Sequence, residues 1–154
     1  MAKETFYQNN KMTIRLEESI KYCESFLEFE QKYSDEFLNE DCRIGNYLRD
    51  LIDKYNKKDS VVSIEAGLNH SYVGNIVNGR KNNPSRNALI CICFALGTSL
   101  EEVQYLLKYG GHAPLYVRKK RDVIIWFGFM KHESLDTVNT NLVERGFSPL
   151  YKEK

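Results

Sequence analysis

Along most of the chain apolar residues recur three and four positions apart, the spacing of one helical face, and strict apolar/polar alternation is almost absent. The pattern predicts an all-α fold. Ile44, Tyr47, Leu48, Leu51, Ile52 and Tyr55 predict a helix over 44–55, and "KKDSVVSIEAGL" a short helix capped by Asp59 or Ser60 and stopped near Gly67. In "NHSYVGNIVNGRKNNPSR", residues 69–86, Val73, Ile76 and Val77 form the buried side of a helix of about 70–77 that stops at Gly79. Ser85, after Pro84, caps a helix carried by Ala88, Leu89, Ile92 and Leu96. Thr98 or Ser99, followed by Glu101 and Glu102, opens the next one. Upstream, Ile20, Cys23, Phe26, Leu27, Tyr33 and Phe37 predict one or two amphipathic helices within 13–38.

The pattern then repeats. Residues 85–116 align without gaps on residues 120–151 at an offset of 35, with eleven identities in 32 positions, among them Arg86/Arg121, Phe94/Phe129, Ser99/Ser134, Gly111/Gly146 and the exit Pro-Leu-Tyr. Most are apolar, turn or capping residues, so the repeat is a structural unit, a helical hairpin, and not a repeated chemical site. Two copies are expected to stack as in a very short helical array. Trp126, Phe127, Phe129 and Met130 are expected to be core between the hairpins, with a dimer face as the alternative.

Composition changes this picture little, and charge changes it more. The 154 residues suffice for one good core, and no apolar run approaches the roughly 18–20 residues of a membrane span. "VIIWFGFM" at 123–130 reads as a buried helix. With no export signal behind Met1, a cytoplasmic location and reduced thiols at Cys23, Cys42, Cys91 and Cys93 are expected. The net charge of +1 is the balance of −5 over residues 1–42, +4 over 43–90 and +2 over 91–154. An acidic arm precedes a basic middle, and local charge decides whether a polyanion docks.

Catalytic chemistry finds no footing: the three His are scattered, no glycine-rich phosphate cradle occurs, and the carboxylates form no motif. Neither a metal site nor a cofactor is expected, since Cys91 and Cys93 point about 200° apart on a helix with no His nearby to complete a ligand set. The outward side of the 70–77 helix is different. His70, Ser71, Tyr72, Asn75 and Asn78 form hydrogen bonds readily, where a merely solvated face would carry Lys and Glu. Such a surface suits pairing with another polar edge.

Two short helices joined by "AGLN", the second rich in amides, have the proportions of a helix-turn-helix. Residues 59–103, "VSIEAGLNHSYVGNIVNGRKNNPSRNALICICFALGTSLEEV" with its Asp59-Ser60 start, resemble the lambda-repressor/Cro-type (XRE) family in the order of second helix, Gly turn, recognition helix, Asn-Gly-basic loop, Pro-Ser cap and Leu-Gly-x-Ser-Leu-Glu-Glu hinge. With 44–55 as first helix, the resemblance covers about five helices and under half of the chain. It implies a five-helix lambda-repressor-like domain at 41–116, between an acidic N-terminal helical segment at 1–40 and a duplicated C-terminal hairpin at 117–154 packed on it. It further implies a bacterial, sequence-specific DNA-binding transcriptional regulator and not an enzyme.

Carried over position by position, the resemblance makes Asn69 the cap of the recognition helix and sets His70, Ser71 and Asn75 at base edges, where an amide can pair bidentately with adenine. Lys57, Lys58, Asn69, Tyr72, Asn78, Arg80, Lys81, Asn82 and Asn83 would meet the phosphate backbone. One position departs: Asp59 stands where the family places a neutral donor, and Lys57 and Lys58 are expected to compensate. "RKKRD" at 118–122 reads as a solvated loop, with a second backbone contact as the alternative. The expected partners are double-stranded DNA, a second copy in a homodimer, and a protein partner through the C-terminal hairpin or the acidic segment. A protein-binding adaptor or antitoxin-like regulator using the same helical surface is the rival reading.

Overall fold

The computed structural model describes residues 14–37 and 43–151. The chain divides into two compact units, Met1–Asp41 and Cys42–Lys154. The described residues are helical with no strand.

In the first unit residues 14–20 form α1 and Phe26–Tyr33 form α2, which runs into a 3-10 turn at Ser34–Glu36. Ser25 caps α2 by accepting from the Glu28 amide at 3.2 Å, and the Tyr33 hydroxyl donates to Ser19 Oγ of α1 at 3.0 Å. Phe29 meets both Tyr33 and Phe37. None of the described residues of this unit is buried.

The second unit holds α3 (Ile44–Lys54), α4 (Asp59–Glu65), α5 (Tyr72–Val77), α6 (Arg86–Leu96), α7 (Leu100–Tyr109), α8 (Lys120–Met130) and α9 (Leu135–Glu144). α6 runs through the middle of the core, with Leu89 to Ile92 entirely buried. α3 packs on α5 and α7, α4 on α5 and α6, and the hairpin pairs α6–α7 and α8–α9 close on each other. Gly45 lets α3 cross the end of α5 at backbone contact: a Cβ there would lie 2.6 Å from the Ile76 carbonyl oxygen and 2.9 Å from that of Val77. Ser99 and Glu102 form a reciprocal capping box on α7, while Thr98 is buried and donates to the Cys93 carbonyl. The same Glu102 accepts from Lys54 and from Tyr55, the last residue of α3 and the one after it, tying the head of α7 to the tail of α3. Burial alone would raise the Glu102 carboxyl, yet these donors and the Ser99 amide hold it below the usual carboxylate range. Cys91 and Cys93 are buried apolar fillers, and burial pushes both thiols up to about 12.

The repeat is real in space, down to single hydrogen bonds. Ser99 accepts from the amide of Glu102 and Ser134 from that of Thr137; His112 donates its amide to Leu107 and Phe147 to Leu142; Gly111 and Gly146 both take the left-handed conformation. Gln104 accepts from the Leu115 amide, and Asn139 from Leu150, each at 2.7 Å. The copies are not, however, stacked as an array. Arg86 of the first copy reaches Asp122 of the second, and Arg121 of the second reaches Asn87, the counterpart of Asp122, in the first. Likewise α6 packs on α9 and α7 on α8, and Phe94 stacks on its own counterpart Phe129 at 3.8 Å. Reciprocal contacts of this kind define an internal pseudo-two-fold, whereas an array would join unlike faces. Phe129 is buried against Phe94 and Trp126 is half-buried against the core, but Phe127 and Met130 are exposed, so they are not core between the hairpins.

Candidate functional site

The site is built by α4, the turn after it, α5 and the loop to α6. Gly67 turns the chain at φ +73°, with the Leu68 amide reaching back to the Ser63 carbonyl, a closure that a side chain at this φ would strain. Ser63 then sets the angle between the two helices. Its buried hydroxyl donates to the Asp59 carbonyl and accepts from the Val73 amide, each at 3.0 Å, so the first turn of α5 is fastened onto α4. Val73 and Ile76 are buried beneath, and Val77 is half-buried.

Asn69 accepts from the amide and hydroxyl of Ser71 at 3.1 and 3.0 Å, but it does not cap α5, whose cap position is held by Ser71 with no side-chain bond. Because these bonds and Tyr72 N to Asn69 O close a tight turn over 69–72, the α-helix proper is Tyr72–Val77 and not 70–77. His70 and Ser71 therefore stand on a turn leading into the helix. Asn69, His70, Ser71 and Asn78 are exposed, and Asn75 is half-buried beside them. Tyr72 lies half-buried against the core with the Lys81 ammonium 4.9 Å over its ring, so it steadies the loop as well as edging the surface.

The loop beyond α5 is held at both ends. Gly79 takes φ +82°, Asn78 Oδ1 accepts from the Arg80 amide at 3.0 Å, and the Lys81 amide donates to the Asn75 carbonyl at 2.8 Å. At the far end the His112 ring lies 2.8 Å from the Pro84 carbonyl oxygen. Arg80, Asn82 and Asn83 between them are exposed.

Two expected residues lie elsewhere. Lys57 is turned inward: its ammonium donates to Glu65 at 3.0 Å and to the Ala95 carbonyl at 2.5 Å, so it is not a free phosphate donor, and of the lysine pair only Lys58 is exposed. Asp59 does not cap α4, and neither does Ser60; Lys58 holds the cap position with no side-chain bond. The fork of Arg49 takes the Asp59 carboxylate bidentately at 3.0 and 2.7 Å, which outcompetes local capping. This pair was not foreseen and matters electrostatically. Asp59 Oδ2 lies 4.0 Å from where a Cβ on Gly74 would sit, so the acid closest to α5 carries its own neutralising cation. From Ala66 to Leu100 the chain has no other carboxylate.

The sequence matches no family model, and neither a curated protein nor a solved structure matches it. No helix among the described residues is long and apolar enough to cross a membrane.

Proposed function

We propose that this chain is a helix-turn-helix DNA-binding transcriptional regulator of the lambda-repressor/Cro type, in which α4, the Gly67 turn and α5 present Asn69 to Asn78 to the major groove. The observation that carries the reading is one surface. An amide, hydroxyl and imidazole edge is fixed from behind by Ser63, is free of unpaired acid, and continues into the exposed Arg80 and its pinned loop. His70, Ser71 and Asn75 are the base-reading candidates: the Asn75 amide offers a donor and an acceptor, as adenine requires, and the Ser71 hydroxyl, whose proton goes to Asn69, keeps an acceptor. Lys58, Arg80, Lys81, Asn82 and Asn83 supply phosphate contacts, which hold register and give most of the affinity. Lys57 drops out of that set. Arg49 takes over its compensating role, by neutralising Asp59.

The rival reading, a protein-binding adaptor or antitoxin-like regulator, is favoured by Phe127, Met130 and Val143, apolar and exposed on α8 and α9. The test is recovery of genomic fragments by the purified chain as salt is raised. A discrete set of fragments surviving high salt supports sequence-specific DNA binding, and no retention even at low salt overturns it.

A further inference from the structure

The pseudo-two-fold brings a second set of cations to the end of the molecule where the basic loop lies. Arg86 at the head of α6 bonds Asp122 at the head of α8 at 3.1 and 3.0 Å, and Arg121 crosses the same gap to Asn87 at 3.2 Å. Phe94 and Phe129 stack two turns further along, so α6 and α8 run side by side with their heads together. The chain entering α6 carries Arg80 and Lys81; the chain entering α8 carries Arg118, Lys119 and Lys120.

Charge is concentrated there out of proportion to the chain. Residues 78–90 and 112–124 together hold seven of the 22 Lys and Arg but one of the 21 Asp and Glu. That single carboxylate, Asp122, is taken by Arg86 and by the Tyr116 amide. Arg118, Lys119 and Lys120 are exposed, and among the described residues no ion pair holds them. Their position also opposes the helix dipole, which favours acids at a helix start. α7 opens on Glu101-Glu102 and α9 on Asp136, whereas α8 opens on Lys120-Arg121 and its one first-turn acid, Asp122, is already bonded to Arg86. Exposed cations crowded near a helix start gain from a polyanion that lies against them.

We propose that Arg118, Lys119 and Lys120 form a second phosphate-contacting strip, which grips the same DNA duplex as Arg80 and Lys81. The proposal rests on the DNA-binding reading of α5. The Lys119 and Lys120 ammoniums are point charges on flexible stems and the Arg118 guanidinium a fork that matches phosphate, so the strip adds affinity and footprint, not specificity.

The test uses the full chain and R118Q/K119Q/K120Q, titrated by fluorescence anisotropy at several salt concentrations against a duplex recovered from the genomic selection and a random duplex of equal length. R80Q/K81Q is the reference. The triple variant is expected to bind both duplexes more weakly by the same factor, and to lower the magnitude of the slope of log affinity against log salt by about two to three. If circular dichroism shows lost helix, K119Q and K120Q singly carry the test, each lowering the slope by about one. A triple variant with wild-type slope beside a weakened R80Q/K81Q overturns the strip and leaves the DNA reading intact. Absence of duplex binding by the wild-type chain overturns that reading itself. Tighter wild-type binding to single-stranded RNA than to duplex, abolished in the triple variant, overturns the assignment of duplex DNA as the strip's partner.

Discussion

The two hairpins share the Ser caps of their second helices, their exits and hydrogen bonds at matching positions, yet only the first is enclosed. Ile92, Leu96 and Leu106 of α6 and α7 are buried, while their counterparts on α8 and α9 are Phe127, 45% exposed, the exposed Lys131 and the half-buried Asn141. The first copy serves as the base on which α3 and α4 rest; the second serves the pseudo-two-fold interface and leaves its other side open. A repeated sequence thus specifies its own turns and its contact with its twin, but not what covers it. The polar substitutions at 131 and 141 are the mark of a face released from the core.

The largest way to break the comparison is Phe129→Ala, which removes the ring stacked on Phe94 and should cost about 3–5 kcal/mol in urea denaturation. Phe127→Ala, two residues away on the open side, should cost under about 1 kcal/mol. Equal losses would show that both sides of α8 are packed. Next in size is Asp122→Asn, which leaves Arg86 without its carboxylate in a part-buried site and should cost about 3 kcal/mol.

Two smaller changes should make the second copy more like the first. Gln104 both accepts from the Leu115 amide and donates to the Leu115 carbonyl at 2.9 Å, whereas Asn139, one methylene shorter, accepts from Leu150 and leaves its buried Nδ2 without an acceptor. Asn139→Gln should gain about 1 kcal/mol by completing the pair. His132 holds φ +54° where the first copy has Gly97 at φ +74°, and His132→Gly should gain a similar amount of about 1 kcal/mol. A fall in melting temperature for both would contradict the equivalence.

Acid should act on the first copy alone through its capping box, since Thr137 stands where Glu102 does. The folded carboxyl lies below its unfolded value, so its contribution is complete above the unfolded pKa and is lost as pH falls through the folded one. Glu102→Gln should flatten the acid limb of stability against pH, and an unchanged limb would remove this group from the account.

Much of this was readable along the chain because it is local. Ser85, Ser99 and Gly97 announce their caps by type and spacing, and the offset of 35 announces the hairpins. The start of α5 is displaced by a local turn, but two other misreadings involve partners distant in sequence. Asp59 next to Ser60 looks like a cap until Arg49, ten residues upstream, supplies a better partner, and Lys57 looks solvated until the Ala95 carbonyl arrives from α6. Ser63, the residue that orients α5, had one signal: it is a hydroxyl on the apolar side of α4 beside Val62 and Ala66, a place where a polar group must be satisfied internally. The reciprocal pairing was foreshadowed by Arg86-Asn87 and Arg121-Asp122, polar residues repeated at the head of otherwise apolar helices.

The central claim is that the turn at 69–71 and α5 read bases while the loop after them holds phosphates. It is tested most directly by anisotropy titration of Asn75→Ala and Arg80→Ala on a selected and a random duplex, with circular dichroism confirming the fold. Asn75→Ala should lose about 1–3 kcal/mol on the selected site and far less on random DNA, and Arg80→Ala should weaken both equally and lower the salt slope by about one. Equal losses on the two duplexes for Asn75→Ala would contradict the claim.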